Sequence, residues 1–136
     1  MTLFRSLTIA LCLSSPALAQ NFTTASEVKP ILTATKGVWV AVREYDGRDL
    51  VYFTQILSWR CGLTEFSYQI NGGEAQVFPA APCHEDTPTP NAILAGDPDP
   101  YISEPLGSVE TVTVTLTYDD GTEDSADYER AAVLMP

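Results

Sequence analysis

The stretch WRCGLTEFSYQINGGEAQVFPAAPCHE, Trp59 to Glu85, decides how the chain folds. At its centre lies Asn71-Gly72, a pair that tolerates two successive positive φ angles and so suits the tight turn of a β-hairpin. A two-residue turn there sets Phe66 opposite Val77, Tyr68 opposite Ala75 and Ile70 opposite Gly73 on one apolar face. Ser67 with Gln76 and Gln69 with Glu74 then fall on a polar reverse face. This register places Pro82 opposite Cys61 and leaves Cys83 one residue beyond, a slack that a bulge near Pro79 and Pro82 can absorb. The expectation is a Cys61–Cys83 disulfide, since the two residues come within reach of the roughly 5.5 Å Cα separation such bonds prefer. Closing this loop would contribute roughly 3 kcal/mol by restricting the unfolded chain.

Two more turns extend the pattern outward. Asp46-Gly47 pairs Val42 with Val51 and Val40 with Phe53 on one face, and Ala41 with Tyr52 and Trp39 with Thr54 on the other. Both faces carry apolar groups, which predicts a central ribbon. For the third hairpin a loop of Asp119-Asp120-Gly121 gives Val112–Tyr128 and Val114–Ala126 inside, with Glu110 opposite Arg130. Gly121 supplies the left-handed residue that such a loop requires. Ahead of the strands, Pro30 to Lys36 with Gly37 behind it reads as a short helix, with Val28, Ile31, Leu32 and Thr35 on one side. The predicted fold is all-β: an antiparallel sandwich or small open barrel of six strands in three hairpins, with one N-terminal helix and one disulfide. Trp39 is expected to be buried, and Trp59 to pack around the disulfide.

Residues 79–108 fit no strand or helix pattern and hold seven of the ten prolines, so they are expected to form a long, stiff, acidic loop. Ala92 to Ala95 could be a buried anchor or a short strand within it.

Met1 to Ala19 reads as a secretory signal, with Arg5 at the positive end, an apolar run Leu7 to Leu13, and the small-x-small site Ala17-Leu18-Ala19. The run falls well short of the roughly 20 residues that span a bilayer. Residues 20–136 are then a single β domain, exported to the periplasm or outside the cell, without a transmembrane segment. Removal of Arg5 leaves six basic against eighteen acidic residues, a formal charge of −12. That balance disfavours nucleic acid and favours cationic partners. It also removes Cys12, so that Cys61 and Cys83 remain as a pair in an oxidising compartment.

Reactive chemistry is poorly supported. Cys83 and His84 are neighbours, and neighbours on an extended chain point in opposite directions, which is poor geometry for a thiolate and its base. His84 is the lone histidine and lacks the spaced partners of a zinc site, so it reads as a solvent-facing loop residue. No Gly-x-Ser-x-Gly elbow is present. The acidic runs at Asp97 and Asp99, and at Asp119, Asp120, Glu123 and Asp124, do not match calcium-loop spacing and read as turn residues. No catalytic residue, metal or cofactor is assigned. The sequence thus predicts a non-enzymatic exported domain that binds a protein, an envelope component or a small ligand through residues 79–108. Candidate surface residues are His84, Glu85, Asp86, Asp97, Asp99 and Tyr101. The alternatives are a small metal- or carboxylate-dependent hydrolase and an acidic inhibitor of cationic enzymes.

Overall fold

The computed structural model describes residues 10–12 and 21–136. The signal segment expected at Met1–Ala19 lies outside the described residues except at 10–12, where Cys12 is exposed with a free thiol. In chain order the elements are α1 (Ala25–Ala34), β1 (Ala41–Tyr45), β2 (Arg48–Tyr52), α2 (Thr54–Leu57), β3 (Leu63–Ile70), β4 (Gln76–Val77), β5 (Tyr101–Pro105), β6 (Thr111–Tyr118), β7 (Glu123–Glu129) and α3 (Arg130–Val133). They form two antiparallel sheets, ordered β1-β2-β5 and β4-β3-β6-β7, as expected of an all-β sandwich. Among the described residues the strands number seven, because β5 arises within the Pro-rich segment and pairs with β2. Among the described residues no helix is long and apolar enough to cross a membrane.

The third hairpin has the predicted register, with Val112 opposite Tyr128, Val114 opposite Ala126 and Gly121 at φ 84°. Strand β6 alternates strictly: Val112, Val114, Leu116 and Tyr118 are buried while the threonines between them are partly exposed. The first hairpin also keeps its register over Ala41–Tyr52 and Val42–Val51, but Phe53 leaves the ladder and α2 begins at Thr54. Strand β2 is central and β1 is an edge. One face of this sheet, bearing Val42 and Val51, enters the core; the other presents Tyr52 with Tyr101, Arg43 and Ser103 on either side of the buried Leu50, and Tyr45 with Arg48 in successive cross-strand rows.

The second hairpin corrects the expected register by one residue. Asn71 and Gly72 do form the tight turn, at φ 53° and 68°, closed by Gly73 N–H donating to the Ile70 carbonyl at 2.9 Å. Beyond Gly73 the strand slips, so that Ser67 rather than Phe66 faces Val77. A one-residue slip turns every side chain over. Val77 is 56% exposed, and Phe78 takes the inward place, stacked on Phe66 at 5.0 Å between ring centroids. Phe53 and Tyr68 complete this aromatic cluster.

Helix α1 starts five residues earlier than predicted, and Pro30 lies inside it. Its Val28 and Leu32 are wholly buried, and the carbonyl of Leu32 accepts the indole N–H of Trp39, also wholly buried, at 2.9 Å. The β6–β7 turn fastens the helix. Asp119 accepts the Ala25 N–H at 2.9 Å, where a negative charge suits the helix start, and Lys29 pairs with Asp120 at 2.9 Å. Lys36, just past the helix, pairs with Asp124. The acidic turn is thus a clamp for α1. A buried Asp49 performs a similar task at the other end, accepting the N–H groups of Gly107 and Val109 and two bonds from Arg130. Those bonds hold its carboxyl down at about 2.

Candidate functional site

Each proline in residues 79–108 contributes a carbonyl acceptor and no N–H donor, so the segment carries a surplus of acceptors. Arg60 balances it. The side chain is only 5% exposed and its guanidinium donates to five carbonyls: Leu57, Ala81, Pro82, Asn91 and Ala92, at 2.6 to 3.2 Å. No carboxylate hydrogen-bonds to it among the described residues, and burial lowers its pKa against a weaker opposing pull from Asp97. Spacing gives no hint of this cage, because four of the five partners lie at least 21 residues away.

Three further ties fix the same segment. Cys61 and Cys83 are disulfide-bonded with their Cα atoms 5.1 Å apart. Asn91 accepts the Cys61 N–H through Oδ1 at 2.8 Å and donates through Nδ2 to the Phe22 carbonyl at 2.9 Å. At the start of β5, the Phe53 N–H donates to the Pro100 carbonyl.

The six candidate surface residues fall into three places. His84 is not the solvent-facing residue expected: it is half-buried, with Nε2 2.9 Å from Asp97 Oδ2. The same carboxylate oxygen accepts the Leu94 N–H at 2.7 Å, and the two bonds, with His84 first, hold the Asp97 carboxyl below its ordinary range. The sulfur of Cys83 is committed to Cys61, so the imidazole has no thiolate beside it to activate. His84 and Asp97 pin the loop. Glu85 and Asp86 stand exposed in a turn between the pin and Pro90. Asp99 lies beside Tyr101 and raises the pKa of that phenol, while the Tyr101 ring packs on Tyr52 at 5.1 Å.

Ala92–Ala95 is neither a strand nor a buried anchor. Ile93 and Leu94 are 45% and 44% exposed, because Arg60 draws the Ala92 carbonyl inward and turns the following side chains out. Beside them runs an open groove of about 480 Å³ whose walls include Phe22, Trp59, Pro88, Pro90 and Ile93. Trp59 packs against the core as expected but is only half-buried, and its ring meets Phe22 edge-on at 5.0 Å. Its indole N–H is buried without an acceptor. Sequence reasoning missed Arg60, Phe22 and Asn91. The one available signal was a cation between Trp59 and Cys61, two residues that belong near a core.

No protein-family model, curated protein or solved structure matches the chain.

Proposed function

We propose that this protein is an exported, non-enzymatic binding domain whose ligand surface is the segment 79–108 with the adjoining Phe22–Trp59 groove. The observation that carries this reading is Arg60. A buried cation commits five of its six hydrogen bonds to carbonyls of a non-repetitive segment, holding it in one conformation with Ile93 and Leu94 exposed at its crest. Ordering a loop before it meets a ligand removes an entropic cost from association. The groove adds rigid aromatic and proline surface of the kind that binds a protein segment or a small ligand.

The test uses the protein recovered after secretion, immobilised and exposed to the exported fraction. Ile93→Asp with Leu94→Asp is expected to lower retention of bound material roughly tenfold, the effect of losing about 1.4 kcal/mol at an interface centre. The melting temperature should stay unchanged, because neither side chain is buried. Retention equal to that of the unaltered protein would overturn the assignment of this surface.

A further inference from the structure

The acidic composition makes the location of free cations informative. Six basic residues lie among residues 21–136, and four are engaged internally. Lys29 and Lys36 pair with Asp120 and Asp124, Arg130 pairs with Asp49 and Glu44, and Arg60 is enclosed by carbonyls. Arg43 and Arg48 are the two exposed cations that pair with no carboxylate among the described residues. Both lie on the outer face of the β1-β2-β5 sheet, on neighbouring strands and in adjacent rows.

Three of the six tyrosines, Tyr45, Tyr52 and Tyr101, share that face, while the other three are buried in the core. No acidic residue occupies any position of this face within the three strands. Asp46 lies in the β1–β2 turn, and Asp99, outside the strands, hydrogen-bonds to Tyr101 at one end of the face. A chain of formal charge −11 therefore carries an acid-free, arginine- and tyrosine-bearing face. The guanidiniums are already positioned: Arg43 lies over the Tyr45 ring at 4.3 Å, and Arg48 Nε donates to Ser103 Oγ at 2.9 Å. Each still has terminal N–H groups to offer a carboxylate.

We infer that this face docks an acidic, extended segment of a partner protein. An extended strand places alternate side chains on one side about 7 Å apart, a spacing commensurate with adjacent rows of the sheet. Arginine and tyrosine are the residues that dominate the centres of protein interfaces. An acidic polysaccharide fits less well. Tyr52 and Tyr101 are tilted by 56° to each other, and the guanidinium of Arg43 covers one side of Tyr45, so the rings offer no shared plane on which sugars could stack. A second copy of the chain would bring a like net charge.

This surface is distinct from the segment 79–108 crest, so the Ile93/Leu94 variant leaves it intact. The experiment measures fluorescence anisotropy of a labelled peptide of alternating Glu and Thr against the secreted protein at low and high salt. Binding is expected at low salt and should weaken as sodium chloride is added. Arg43→Ala with Arg48→Ala should weaken it roughly tenfold or more, and Arg43→Lys with Arg48→Lys should restore only part, because an ammonium lacks the planar fork. A matching Lys-Thr peptide should not bind. The inference is overturned if the Glu-Thr peptide fails to bind or binds equally well to the alanine variant. Tighter capture of polygalacturonate or single-stranded DNA, or self-association through this face in sedimentation, would also overturn it.

Discussion

At the scale of single residues, Arg60 acts as an organiser that side-chain identity alone does not announce. Its five acceptors come from α2, from the two residues before Cys83, and from Asn91 and Ala92, so one guanidinium ties three separated stretches of backbone. Arg60→Met keeps much of the aliphatic bulk but strands those carbonyls. It is expected to cost about 3 kcal/mol in urea unfolding, the consequence of leaving several buried acceptors unpaired. Arg60→Lys should recover little, because three donors on a point charge cannot match the five-donor fork. A loss below about 1 kcal/mol for Arg60→Met would show that the carbonyls find other partners. His84 carries the complementary lesson. Its neighbour in sequence suggested chemistry, but the residue that fixes it is Asp97, thirteen positions on, and the pair serves to hold Leu94 in place.

Among the elements, the second hairpin shows how far pairing rules reach. Turn chemistry located the reversal at Asn71-Gly72, because few other dipeptides accept positive φ twice in succession. The strand beyond it was ambiguous: Val77 and Phe78 are both apolar, and Gly73 imposes no side chain on either register. The offset that sets Phe78 opposite Phe66 also sets Cys83 directly opposite Cys61. The cysteine pair was therefore the constraint that could have chosen between registers, had it been applied before the apolar match. The two registers make opposite demands on stability. Phe78→Ala should cost roughly 3–5 kcal/mol through loss of a packed aromatic, whereas Val77→Thr should stay within about 0.5 kcal/mol. Chemical denaturation of both variants checks this, and a large effect at Val77 would contradict the slip. Strand β5 was not legible because its pattern, Tyr-Ile-Ser-Glu-Pro, is short, ends in proline and directly follows Pro98 and Pro100. It forms because β2 offers a free edge, a condition set by tertiary arrangement.

Across the whole molecule, the two sheets are joined by the shared core and by an ionic clamp. Asp49 in β2 is wholly buried and receives Arg130, the first residue of α3, which also reaches Glu44 in β1. Hydrogen bonding to Arg130 is the largest cause of the depressed Asp49 carboxyl, at about 2 against an ordinary 3.8. The folded state thus binds this proton less readily than the unfolded chain. The clamp contributes in full above the ordinary value and fades as pH falls from 3.8 towards 2. The melting temperature of the unaltered protein should accordingly drop across that interval, while Asp49→Asn should melt lower at neutral pH and show a shallower decline. A gap between the two proteins that stays constant down to pH 2 would refute the clamp. Alternation and turn residues made the layered architecture readable. The joints between layers, at Asp49–Arg130 and at Asp119 to Asp124 against α1, were not, because charged residues on an acidic chain look alike until the fold brings partners to some of them.

The four-stranded sheet ends in β7, whose outer edge pairs with no strand among the described residues and would ordinarily invite a neighbouring molecule to continue the ladder. Its exposed side is studded with Glu123, Asp127 and Glu129, so that two molecules approaching along this edge would oppose carboxylate to carboxylate. Solubility at high concentration, and resistance to fibrillar stacking, thereby become properties of one strand's alternation, and they would weaken if those acids were neutralised.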